Sequence, residues 1–193
     1  MTKKLSRWQR GFTMIETMIA IAIMSIGILT LIAAFGTAVA ATQTAQEDLI
    51  ARQKTLEAME SIYTARNSQQ ITFAQIANLP GGIFTAGPTQ LKAAGNDGLV
   101  NTADDTNFPA SGSCPAGPEC LTLPGPDGIL GTADDKAMSL GNFTRQIVIT
   151  NALNPDGTIN TTLKQVAVTV TYTKAGATLP RSYSVNSLIS TFH

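Results

Sequence analysis

Two stretches of this chain carry residue types able to do chemistry. Gly95-Asn96-Asp97-Gly98-Leu99-Val100-Asn101-Thr102-Ala103-Asp104-Asp105 recurs thirty residues later as Gly125-Pro126-Asp127-Gly128-Ile129-Leu130-Gly131-Thr132-Ala133-Asp134-Asp135, with seven of eleven positions identical. The ligand set is oxygen only, without His or Cys, and suits a hard cation. Glycine turns let backbone carbonyls join the carboxylates. Calcium, which takes about 6–8 oxygens, fits such a set better than magnesium. Asp97, Asp104 and Asp105, with Asp127, Asp134 and Asp135, would supply the charge, and the carbonyls near Asn101 and Gly131 would complete the shells. The spacing is not that of an EF-hand. The competing reading is a pair of solvated Asp-Gly turns.

The second stretch is the junction Gly11-Phe12, followed four residues on by Glu16. Before it lies a leader with Lys3, Lys4, Arg7 and Arg10 and no acid; after it, Phe12 to Phe35 is apolar with Glu16 as its only charge. A carboxylate deep in lipid costs about 2.5–3.5 kcal/mol on insertion scales. Two things lower that cost. A helix starting at Phe12 puts Glu16 in its first turn, where the dipole favours negative charge. Cleavage after Gly11 would free an amine on Phe12, on the same i, i+4 face or offered by a neighbouring subunit. A tolerated interfacial glutamate is the plainer alternative.

The elements that must position these groups follow from the pattern. As a helix, Phe12 to Phe35 spans about 36 Å, enough for a bilayer core of about 30 Å. No proline precedes Pro80, and Gly27 and Gly36 permit close approach of another helix. The basic cluster should stay cytoplasmic, which places the rest outside. Without the leader, nine basic residues face 13 acidic ones, net −4, and no basic face for nucleic acid is evident. Ala45, Leu49, Arg52, Leu56, Met59 and Tyr63 follow helical spacing and predict an amphipathic stem over 36–67, with Gln46, Glu47, Lys54, Glu57 and Glu60 opposite. Residues 68–142 are rich in Gly, Pro, Asn and Asp and read as loop, pinned by the cysteines and the acidic repeats. From Phe143 the alternation of strands begins: Phe143–Thr150, the turn Asn154-Pro155-Asp156-Gly157, then Leu163–Thr173 with Val166, Val168, Val170 and Tyr172 on one face. After Lys174-Ala175-Gly176-Ala177, Ser182–Phe192 supplies a third strand. The fold class is α+β: a long N-terminal helix, transmembrane and then stem, packed on a small antiparallel sheet over 143–193.

Cys114 and Cys120 should pair outside the cytoplasm, contributing about 2–3 kcal/mol by loop closure; two reduced thiols are the alternative. The single histidine is His193, which argues against a histidine triad, and no Walker loop, dinucleotide fingerprint or zinc spacing is present. No enzyme activity is expected. Asn142-Phe143-Thr144 and Asn160-Thr161-Thr162 match a glycosylation sequon too short to carry weight.

Arg10-Gly11-Phe12-Thr13-Met14-Ile15-Glu16 resembles the class III signal of type IV pilins and pseudopilins. The resemblance implies that a prepilin peptidase cuts after Gly11 and methylates Phe12. It implies that Glu16 pairs with the N-terminal amine of a neighbouring subunit during assembly, and that the head is pilin-like. The run Met18–Leu29 resembles the minor subunits called PilV-like or GspI-like, and the proline usual in major subunits is missing. The second acidic copy is similar to the calcium loop of major type II secretion pseudopilins, although here two copies precede the last strands. The implied protein is a minor subunit of a pilus or a type II secretion pseudopilus. It would sit in the bacterial inner membrane with its C-terminus outside, then in a filament, with other pilin subunits and the peptidase as partners. The alternatives are a calcium-binding adhesin, membrane-anchored or released by signal peptidase I before Ala41 at Ala38-Val39-Ala40, and a membrane-tethered enzyme.

Overall fold

The structure is a computed structural model that describes residues 11–174 and 178–192. The basic leader, residues 175–177 of the expected last turn, and His193 lie outside the described residues.

Among the described residues one helix, α1, runs Met14–Asn67, two residues later in its start than the sequence suggests. The chain divides into two compact units, the first ending at Ala45 and the second beginning at Gln46. In the first unit every residue from Gly11 to Val39 is exposed. The helix is long and apolar enough for one membrane crossing. Its hydroxyls are satisfied internally: Thr17, Ser25 and Thr30 donate to the carbonyls of Met14, Ile21 and Gly27 at 2.7, 2.8 and 2.8 Å. A hydroxyl that cannot reach water needs such a partner. Ala38-Val39-Ala40 lies inside the helix.

The second unit holds the rest of α1 and six strands: β1 Thr89–Gln90, β2 Cys120–Leu123, β3 Lys136–Ser139, β4 Phe143–Leu153, β5 Ile159–Tyr172 and β6 Arg181–Ser190. The main sheet is antiparallel in the order β1-β4-β5-β6, with Phe143 opposite Tyr172 and Ile147 opposite Val168. The turn between β4 and β5 forms where Pro-Asp-Gly suggests: Gly157 donates to the Asn154 carbonyl at 2.9 Å with φ at 81°. Val166, Val168, Val170 and Tyr172 are all buried, as their alternation requires. Against this face pack Ala58, Met59, Ile62 and Ala65 of α1, and, around the stacked rings of Phe143 and Tyr172, Ile50 and Ala51.

The stem's buried face differs from the expected one. Of Ala45, Leu49, Arg52, Leu56, Met59 and Tyr63, only Met59 is fully buried, and Leu49 and Leu56 remain 64% and 44% exposed. The buried stripe is Ile50, Ala51, Lys54, Thr55, Ala58, Met59, Ile62, Ala65 and Arg66. Small side chains at Ala51, Thr55, Ala58 and Ala65 let the sheet approach closely, which large leucines would prevent. Lys54, expected on the polar face, is tolerated inside because Nζ donates to Glu119 at 2.5 Å and Glu57 at 2.8 Å. Burial pulls this ammonium down, but the two carboxylates outweigh it and hold it above its ordinary value.

Residues 68–142, read as loop, contain β1, β2 and β3 and deliver Ile71, Ile76, Phe84, Leu91 and Leu99 to the core. These apolar residues are isolated among turns and show no period, so pattern alone misses them.

The helix start and the acidic loops as candidate functional sites

Gly11 to Thr13 precede the helix, and Thr13 caps it. Thr13 Oγ1 accepts the Glu16 N–H at 3.3 Å, while the Thr13 carbonyl accepts from Glu16 and Thr17 at 3.1 and 3.2 Å. Thr-x-x-Glu is the spacing of a capping box, a signal present in the sequence and overlooked there. Glu16 therefore sits in the first turn, near the positive end of the helix dipole. Its side chain is exposed, and its carboxylate makes no hydrogen bond or ion pair among the described residues. Gly11 and Phe12 lie outside the helix and are exposed.

The two acidic loops share one backbone. Gly98 and Gly128 have φ of 68° and 70°, and Asn101 and Gly131 of 63° and 91°, the left-handed region open to Gly and Asn. In the first loop Asp97 Oδ1 accepts from Leu99 N at 2.8 Å, Asp104 Oδ2 from Asp97 N at 3.2 Å, and Asp105 Oδ2 from Asn101 N at 2.8 Å. The second repeats these bonds: Asp127 with Ile129 N at 2.9 Å, Asp134 with Asp127 N at 3.3 Å, Asp135 with Gly131 N at 2.7 Å. A Cβ on Gly95 or Gly125 would collide with the carboxylate of Asp104 or Asp134, which explains glycine at the head of each copy. Hydrogen bonds from Thr102 and Thr132 are the main cause holding the Asp104 and Asp134 carboxyls below their ordinary value.

Their surroundings differ. Leu99, Val100, Asn101 and Thr102 are buried, with Leu99 and Val100 in the main core cluster. Asn101 donates to Thr89 Oγ1 and to the Arg145 carbonyl, accepts from Arg145 Nε at 2.6 Å, and gives its carbonyl to Thr85 N at 2.6 Å. The second loop joins β2 to β3, and residues 129–134 are all exposed. Ile129 and Leu130, the counterparts of Leu99 and Val100, are 60% and 61% exposed. Asp105 Oδ1 accepts from Thr102 N at 3.4 Å, whereas Asp135 Oδ1 is shielded from solvent without a partner among the described residues.

Whether calcium fits can be judged from these oxygens. No group of three or more His, Cys, Asp or Glu side chains among the described residues is arranged to hold a metal. In the first loop the carboxylates and the Asn101 carbonyl are engaged by the fold. In the second, Asp135 Oδ1 lacks a donor, and the Gly131 carbonyl accepts no hydrogen bond among the described residues. The donor chemistry that suits a hard cation is thus freer in the second copy. Between the loops in sequence, Cys114 and Cys120 form a disulfide with Cα atoms 6.0 Å apart.

Sequence reasoning did not single out Arg145, Lys54, Glu119 or Thr13. A charged residue's burial has no local signature when its partners are distant in the chain; Glu119 lies 65 residues from Lys54.

Searches of curated proteins and of solved structures find no match to the chain. A family model described as the prokaryotic N-terminal methylation motif matches residues 9–32, which include Gly11, Phe12 and Glu16. The chain therefore carries a type IV pilin-like N-terminal signal, which supports the pilin and pseudopilin class and fits processing by prepilin peptidase.

Proposed function

We propose that this chain is a minor structural subunit of a type IV pilus or a type II secretion pseudopilus. Prepilin peptidase cuts after Gly11 and methylates Phe12; the apolar part of α1 holds the subunit in the inner membrane, head outside, until it packs among other subunits. The observation that carries this reading is the Glu16 carboxylate, exposed and without a partner among the described residues, at the head of an apolar helix whose hydroxyls are otherwise satisfied. An amine from a neighbouring subunit's processed terminus would complete it and set axial register. The test is intact mass after coexpression with the peptidase, together with filament incorporation of Glu16→Ala. Support is a chain beginning at methylated Phe12 and loss of incorporation in the variant; a mature chain beginning at Ala41 points to the secreted adhesin instead.

The orphaned Asp135 Oδ1 favours a second, independent reading. Calcium binds the second loop through Asp127, Asp134 and Asp135 with the Gly131 carbonyl, and when bound it neutralises the loop's charge and stiffens it. A melting temperature unchanged between calcium and chelator sinks this part and leaves the subunit reading intact.

A further inference from the structure

Arg145 is 1% exposed, yet among the described residues its guanidinium makes one side-chain hydrogen bond, from Nε to Asn101 Oδ1 at 2.6 Å, and Nη2 has no partner. A buried cation without an ion pair is costly unless nearby negative charge compensates it. Burial holds the guanidinium below its ordinary value, and Asp105, then Glu57 and Glu119, oppose that shift without cancelling it. Asp105 is also the carboxylate that accepts the Asn101 N–H at 2.8 Å. Asn101 thus touches both charges: its backbone binds the loop's acid and its side chain binds the cation. The counterpart of Asn101 in the second copy is Gly131, which has no side chain to reach any cation.

We propose that Arg145, held through Asn101, is the built-in counter-cation of the first acidic loop and closes that loop to divalent metal. A metal ion there would sit beside a buried positive charge and compete for oxygens the fold already uses. One arginine and one asparagine therefore decide which of two near-identical loops is open to a cation. The proposal touches the calcium reading of the second loop but stands on the Arg145–Asn101 contact.

The experiment uses the full chain in detergent micelles, with melting temperature as readout, in chelator and in millimolar calcium. In chelator, Arg145→Met is expected to lower the melting temperature by about 5 °C or more, with Arg145→Lys recovering a substantial part. Asp105→Asn is expected to be clearly more destabilising in the wild-type background than beside Arg145→Met, where only its bonds to the loop backbone are lost. Equal losses in both backgrounds overturn the proposal, because the two charges would then be uncoupled. In calcium, Arg145→Met gains more stability than the wild type does, and this excess disappears when Asp105→Asn is added. Loss of the wild-type calcium response in Asp105→Asn overturns the proposal, since the first loop would then be the metal site. If Arg145→Met does not fold, the Lys variant and Asp105→Asn decide: a loss in chelator that calcium does not reverse supports the counter-cation, and no loss overturns it. If no variant responds to calcium, the second-loop metal reading fails, and the coupling measured in chelator still decides the role of Arg145.

Discussion

The two acidic loops have almost one sequence and one backbone, and opposite fates. In the first, Leu99 and Val100 are core residues and Asn101 is buried against Arg145; in the second, Ile129 and Leu130 face solvent at the end of a two-stranded hairpin. The comparison teaches that the repeated pattern codes a loop shape, through Asx turns and left-handed residues, and nothing about where the shape is used. Usage is decided by whether a receptor exists. The first copy finds one beside Ile62, Ala65 and Ile147, all in the same core cluster.

The largest expected difference lies in the apolar pair. Leu99→Ala should cost about 2–5 kcal/mol of stability, as large-to-small core changes do. Ile129→Ala should stay within about 0.5 kcal/mol, as exposed substitutions do. Denaturant unfolding of the two variants measures both, and similar values would erase the distinction. A smaller effect separates the position that differs. Asn101→Gly leaves Arg145 without its hydrogen bond and should cost about 2 kcal/mol, the scale of a buried polar group losing its partner. Gly131→Asn should cost less, about 1 kcal/mol, because a Cβ there meets nothing within 4 Å and only the φ of 91° strains the new side chain.

Acid should produce the smallest effect, and the same one in both copies. Asp104 and Asp134 are held below their ordinary value, chiefly by Thr102 and Thr132. A lowered carboxyl contributes stability that is fully present above its unfolded value of about 3.9 and is lost as pH falls through the lower folded value. The amides of Asp97 and Asp127, which donate to these carboxylates, should therefore stay protected from exchange down to about pH 4 and lose that protection below it. Quickening that begins well above that pH in one loop alone would show that the shared hydrogen bonds do not act alike.

Much of the fold was legible. The helix over the apolar segment, the strands at β4, β5 and β6, the Val166–Tyr172 face, the Pro-Asp-Gly turn and the Cys114–Cys120 pairing follow from local pattern and chemistry. At the candidate sites, the Gly11-Phe12-Glu16 segment was legible because its signal is contiguous. The inequality of the loops was not, because Arg145 lies 44 residues from Asn101.

Sequence by itself determined periodic and contiguous features: an apolar run long enough for a bilayer, alternation in strands, and glycines or asparagine where φ must be positive. These are set by each residue's own backbone and its near neighbours. Only the tertiary structure decided which face of the stem is buried, that Lys54 and Arg145 go inside, and that one acidic loop is built into the core while its twin is exposed. Those outcomes depend on shape and charge from distant segments meeting at one place, where desolvation makes a partner's presence decisive and no local pattern records it.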